Sequence, residues 1–120
     1  MGNKELGDLG EEHAARSLAL NGYSIIARKF RCRFGEIDII ALDRGTLVFI
    51  EVRSRSDEEY GLPYETINYV KKRHIRKVAV TFQLKYGLLD HDSRFDCVSV
   101  IFEKNGNLKN IELIKDAFWS

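Results

Sequence analysis

The chain has 120 residues, 44% hydrophobic and 31% charged, enough for one self-sufficient core and too apolar for a disordered segment. A formal net charge of +1 excludes a globally basic nucleic-acid binder, so any such role must rest on a local basic patch. Two cysteines, Cys32 and Cys97, lie far apart without CxxC or Cys/His spacing, which argues against a zinc site or a disulfide framework; with no signal peptide or bilayer-length apolar run read, a reducing cytoplasm is the expected compartment and no membrane the expected partner.

Gly7-Asp8-Leu9-Gly10 opens a predicted helix that runs to Gly22, with Asp8 as N-cap and Glu11 and Glu12 in the first turns, where acidic side chains complement the helix dipole. At about 100° per residue, Glu11 falls on the face of Ala14, Ala15 and Leu18 and points inward, while Glu12 falls toward Arg16. Tyr23 to Phe30 reads as the first strand. It leads into Arg28-Lys29-Phe30-Arg31-Cys32-Arg33-Phe34, where basic and aromatic residues interleave. Such a run either faces phosphates, with aromatics stacking on bases, or is a solvated, protective sheet edge.

Gly35-Glu36-Ile37-Asp38-Ile39-Ile40-Ala41-Leu42 and Thr46-Leu47-Val48-Phe49-Ile50-Glu51-Val52-Arg53 flank the turn signal Asp43-Arg44-Gly45 and predict a β-hairpin. A two- or four-residue loop pairs Asp43 with Thr46 and, counting outward, Asp38 with Glu51; a three-residue loop with a bulge breaks that register. Alternation puts Asp38 with Ile40, Leu42, Leu47, Phe49, Glu51 and Arg53 on one face, and Ile37, Ile39, Val48, Ile50 and Val52 on the other. Both faces are apolar, so the hairpin is central. Two opposed carboxylates there are costly unless paired or bridged by a cation, and oxygen ligands suit a hard divalent ion such as Mg²⁺. A salt-bridge cluster in which Arg53 neutralises Glu51 is the alternative.

Ser54 to Gly61 reads as a polar loop beside the acidic pair, followed by a long helix from Pro63, with Glu65 in its first turn, to Tyr86, ended by Gly87. Its apolar stripe comprises Ile67, Val70, His74, Ile75, Val78 and Phe82. Lys71 falls in the middle of the stripe, either snorkelling or reaching the acidic cluster or a bound phosphate; Lys72, Arg73, Arg76 and Lys77 point away, and His74 reads as a core or interface histidine. Arg94 to Phe102 is a further strand, and Asn105-Gly106 turns the chain into Leu108 to Ile114. Asp96 alternates with Val98 and Val100 and is expected to pair with a helix cation. Phe118 and Trp119 are expected to dock, since left exposed they would form an apolar patch or an oligomer contact, as in a homodimer. No repeat or linker divides residues 1–120, so a single domain is expected.

The order helix, three strands, helix, two strands, with a helical Glu, a strand Asp and then Glu-x-basic, resembles the PD-(D/E)XK nuclease superfamily. Gly7-x-x-Gly10-Glu11-x-x-Ala14-x-x-x-Leu18, Gly22-Tyr23, Gly35-Glu36-Ile37-Asp38, Val48-x-x-Glu51-Val52, Gly61-x-Pro63-x-Glu65, Arg94-Phe95-Asp96 and Ile114-x-x-Ala117-Phe118 together resemble the YraN-like bacterial family across nearly the whole chain. That family is grouped with archaeal Holliday junction resolvases and restriction-type endonucleases. The resemblance implies an α/β, restriction-endonuclease-like core with a mixed sheet of about five strands between helices, and a metal-dependent endonuclease acting on DNA, including branched DNA, with Mg²⁺ or Mn²⁺ as cofactor. It makes Glu11, Asp38 and Glu51 the metal ligands and puts Arg53 in the place of the superfamily lysine. Lys71 corresponds to a basic residue on the following helix. Arginine cannot act as a general base but can hold the scissile phosphate or stabilise its developing charge. Arg31, Arg33, Arg55 and Lys72 are the expected nucleic-acid contacts outside the chemical centre. A binding module without turnover and a structural, partner-binding protein are the readings that remain beside it.

Overall fold

The computed structural model describes residues 2–57 and 69–117. The elements are α1 (Asn3–Leu20), β1 (Ser24–Cys32), β2 (Gly35–Asp43), β3 (Thr46–Ser56), α2 (Tyr69–Lys85), β4 (Ser93–Phe102) and β5 (Leu108–Ile114). The expected order and α/β class are what is observed: one five-stranded sheet, β1-β2-β3-β4-β5, antiparallel except for the parallel β3–β4 pair. Parallel neighbours need a crossover, and α2 lies within that connection.

The two helices cover opposite faces. Ala14 and Leu18 of α1 pack on Ile39, Val48, Ile50 and Val100, while Ile75, Val78 and Phe82 of α2 pack on Ile40, Leu47, Phe49 and Phe95. β2, β3 and β4, each covered on both sides, therefore read as near-continuous apolar runs rather than alternating ones.

The β2–β3 hairpin has the expected register, with Asp43 opposite Thr46 and the ladder running to Ile39 opposite Ile50. Arg44 and Gly45 take φ of 52° and 86°, the left-handed pair that a two-residue hairpin turn requires. Alternation, however, slips at Asp38. Ile37 packs on the α2 side with Ile40, whereas Ile39 packs beneath α1. The neighbouring ladder shows why: β1 pairs Arg28 with Ile39 and Phe30 with Ile37 but skips Lys29 and Asp38, and Lys29 has a φ of 54°. A left-handed non-glycine residue inside a strand costs on the order of 1–3 kcal/mol, a strain held where surroundings over-determine it.

Other expectations are corrected at element ends. α1 begins at Asn3 with Gly2 as N-cap, so Asp8 is not a cap but lies inside the helix. Gly10, read as part of a helix start, is a packing glycine: a Cβ there would stand 1.8 Å from Ser54 Oγ and 2.9 Å from Ser54 Cβ. Ser54 to Ser56 continue β3 rather than forming a loop, because their backbones pair with Val100, Ile101 and Phe102 of β4. Residues 58–68 and 118–120, with the readings of Pro63, Glu65, Ile67, Phe118 and Trp119, lie outside the described residues.

Gly10→Ala is expected to lose about 1–3 kcal/mol of stability from overpacking, although alanine in an open helix gains about 1 kcal/mol over glycine. Adding Ser54→Gly should recover most of the loss, because it removes both clashing atoms. Denaturant midpoints check this; a Gly10→Ala protein as stable as the parent would show that α1 rides higher over β3.

Candidate active site

Asp38 stands at the seam where the β2–β3 ladder ends. Its Oδ2 accepts a hydrogen bond from the Val52 backbone N–H at 2.8 Å, as a strand carbonyl would in an unbroken ladder. A side chain thus stands in for a backbone acceptor at this point of the sheet. On the α1 side it lines a cleft of about 240 Å³ with Gly7, Asp8 and Glu11 of α1, Lys29 and Glu36.

Glu11 points inward as its helix face predicts and is buried, with side-chain exposure of 8%. Its carboxylate accepts from Arg28 Nε at 3.1 Å and lies 3.8 Å from Lys29 Nζ. Glu12 turns to Arg28 at 2.8 Å rather than simply along its helix to Arg16, and Arg28 holds its carboxyl below the usual range. Arg28 and Lys29, taken from sequence as part of a phosphate-facing or solvated run, are thus the cations that tie α1 to β1; Lys29 also reaches Asp8 at 3.5 Å. Arg28 and Lys29 could have been found by asking which cations serve an inward-facing glutamate.

Glu51, equally buried, faces α2. Lys71 Nζ lies 2.8 Å from its Oε1, and Arg53 Nη1 lies 3.8 Å away on the same face of β3. Of the two accounts of Lys71, the contact with the acidic cluster is the one observed. Arg53 Nε is buried without a hydrogen-bond partner. Glu11 and Glu51 therefore approach Asp38 from opposite sides of the sheet, a correction to the single shared face that simple alternation predicts for Asp38 and Glu51.

The seam concentrates negative charge. Burial first, and then the Glu51 carboxylate, push the Asp38 carboxyl up to about 7; the Val52 N–H opposes them, and Glu11 and Glu36 add smaller repulsions. Cys97, opposite Glu51 across the β3–β4 ladder, is pushed up to about 12 by burial and by Glu51, so it is an inert thiol. Among the described residues no cation stands within ion-pairing distance of Asp38, and no group of three or more His, Cys, Asp or Glu side chains is drawn together tightly enough to hold a metal ion. The donors that do adjoin, Asp38 and Glu51, are hard oxygens. Mg²⁺ is commonly held by one or two carboxylates with waters and substrate phosphates completing its shell, so the pair fits such an ion in chemistry and number.

The remaining candidates are dispersed. Arg31 is exposed and paired with Glu36, Arg33 lies over the Phe34 ring at 4.7 Å, Arg55 is half-buried in β3, and Lys72 is half-buried on α2. His74 is exposed rather than in the core, because the buried stripe of α2 runs through Ile75, Val78, Ala79 and Phe82. Among the described residues Asp96 pairs with no helix cation. Fully buried, it accepts from Tyr23 and from Arg94, two residues before it on the same face of β4.

The chain matches the model of the uncharacterised protein family UPF0102 over residues 10–100. A UPF0102 protein of Clostridium kluyveri is 44% identical over 97% of this chain and 95% of its own length. Relatives in Caldicellulosiruptor bescii (44% identical, 98% of this chain and 100% of the relative) and Desulforamulus reducens (45%, 95% of each) carry the same description.

Proposed function

The chain belongs to the UPF0102 family, and for it we propose a metal-dependent endonuclease of the PD-(D/E)XK type that hydrolyses phosphodiester bonds of DNA in the cytoplasm. The observation that carries this reading is Asp38: a carboxylate lodged in the seam beside Glu51, without a cation partner among the described residues and driven toward protonation first by burial and then by Glu51. Asp38 and Glu51 would hold Mg²⁺ or Mn²⁺, and Glu11, which approaches Asp38 from the other side of the sheet, would bear on the ion only through water. When bound, the ion supplies Lewis-acid polarisation of the phosphate and an activated water. Lys71 and Arg53, which both face Glu51, would stabilise the negative charge that builds on the phosphoryl oxygens.

A second reading, a DNA-binding module without turnover, is favoured by the ion pairs: Glu11 and Glu51 each already have two cations, and Arg53 supplies no base.

Thermal melts across pH separate a metal site from a salt-bridge network. The Asp38 carboxyl, raised to about 7 in the folded chain, keeps a proton that the unfolded chain releases near its ordinary value. Metal-free stability should therefore fall as pH rises from about 4 to about 7 and stay low above it. Asp38→Asn should remove that fall and be more stable than the parent at pH 8 by about 1–2 kcal/mol, a figure discounted for partial solvation. Mg²⁺ should stabilise the parent at pH 8 and leave Asp38→Asn unchanged. A variant less stable than the parent with and without Mg²⁺ would mark Asp38 as a member of a structural network.

A further inference from the structure

On the α2 side, a second groove of about 390 Å³ opens between the β1–β2 turn and α2, lined by Phe34, Glu36, Val70, Lys71, His74 and Ile75. It is continuous with the candidate site at two side chains. Lys71 lines the groove and ion-pairs with Glu51 at 2.8 Å, and Glu36 lines both this groove and the cleft that holds Asp38. Its walls combine one aromatic ring and aliphatic side chains with a cationic rim. Arg33 lies over the Phe34 ring at 4.7 Å and Lys77 at 5.4 Å. An unpaired nucleotide has that chemistry: a flat ring system that stacks, attached to a phosphate that cations hold.

We propose that this groove takes one unpaired nucleobase of the DNA strand, stacked on Phe34, with its phosphate directed by Lys71 toward the Asp38–Glu51 seam. The inference rests on the endonuclease reading for what happens at that phosphate, but not for binding. The stacked base replaces one of the two cations over the Phe34 ring and frees it for a flanking phosphate. Val70, otherwise an exposed aliphatic side chain at 58%, supplies an apolar contact for the edge of the base, and His74 a polar one. A duplex keeps its bases inside the stack, so the groove selects single-stranded, flapped or branched DNA over an unbroken helix.

The test uses the full chain without added metal and a single-stranded oligonucleotide carrying one 2-aminopurine, followed by fluorescence and anisotropy, beside the same sequence as a duplex. Saturable quenching and tighter binding of the single strand are expected. Phe34→Leu, which keeps an apolar side chain against the core, should remove the quenching and weaken single-strand binding about tenfold, the scale of one base–aromatic stack. Phe34→Trp should restore both, and Val70→Ser, at an exposed position, provides a variant that leaves folding unaffected and should weaken the same binding. Single-strand binding and quenching unchanged in Phe34→Leu and Val70→Ser would overturn the proposal, as would equal affinity for duplex. Cleavage with Mg²⁺ is scored separately. Cutting that is indifferent to these variants and to unpaired bases sinks the groove and leaves the endonuclease reading, whereas stacking without cutting sinks the endonuclease reading and leaves the groove.

Discussion

Asp96→Ala is expected to destabilise the protein by about 3–5 kcal/mol, the cost of removing one partner from a buried charged network. Asp96 has no solvent exposure, and both of its oxygens are engaged. Oδ2 accepts from the Tyr23 hydroxyl at 2.8 Å and from Arg94 Nη2 at 3.1 Å; Oδ1 accepts from Arg94 Nε at 3.0 Å and from the Asp116 backbone N–H at 3.0 Å. Arg94 also reaches Asp43 at 2.6 Å, holding that carboxyl below its usual range, and its own guanidinium is held charged chiefly by Asp96. Burial and the Asp96 carboxylate raise the Tyr23 phenol, so it remains a donor. Without Asp96, Tyr23 and Arg94 lose their shared acceptor and the segment after β5 loses one of its ties to β4. Arg94→Met combined with Asp96→Leu should be less harmful than Asp96→Ala alone, since it removes both charges and fills the space. Urea unfolding of the three variants is the measurement; a loss under about 1 kcal/mol for Asp96→Ala would show water taking the place of the carboxylate.

Arg53→Ala should lower DNA cleavage about 100- to 1000-fold, the scale of losing one preorganised donor at a developing charge, while changing binding far less. Arg53 lies on the face of β3 that carries Glu51, 3.8 Å from its carboxylate, and so stands where a phosphate at the seam would come. Arg53→Lys should preserve or increase cleavage. The guanidinium brings a buried Nε with no acceptor, which an ammonium does not, and a lysine keeps the positive charge while gaining the ability to give up a proton. Paired binding and cleavage assays separate the roles: equal losses in both would make Arg53 an ordinary phosphate contact. Arg31, Arg33 and Arg55 lie outside the seam, so alanine at each should weaken binding and make the salt dependence shallower by about one unit for each phosphate that is no longer neutralised.

The hairpin register was legible by counting outward from the turn signal: a two- or four-residue loop around Arg44-Gly45 pairs Asp43 with Thr46, and the two-residue turn is the one formed rather than the three-residue bulged loop. The inward face of Glu11 followed from helical period, and the two-sided burial of β2 and β3 from their unbroken apolar runs. The slip at Lys29 and Asp38 was not legible, because it is made jointly by two strands and stabilised by a side chain that replaces a ladder acceptor. Gly10 misled for a related reason. A glycine inside a helix looks like a breaker until the strand crossing beneath it is known. His74 was read as a core or interface residue from a stripe that included residues before Tyr69; the core half of that reading fails because the buried face of α2 begins at Ile75. The partner of Asp96 was sought on a helix, although Arg94 stood two residues away on the same face of the strand.

Whether the Asp38–Glu51 seam is a metal-dependent centre for phosphodiester hydrolysis is tested most directly by cleavage of single-stranded, duplex and branched DNA by the parent chain, Asp38→Asn and Glu51→Gln, with Mg²⁺, Mn²⁺ or chelator. The parent should cut at least one of these with either ion and none with chelator, and both variants should bind the same DNA but cut none. Cleavage by the variants at the parental rate, or no cleavage by a parent chain that binds the DNA, would contradict a metal-dependent centre there.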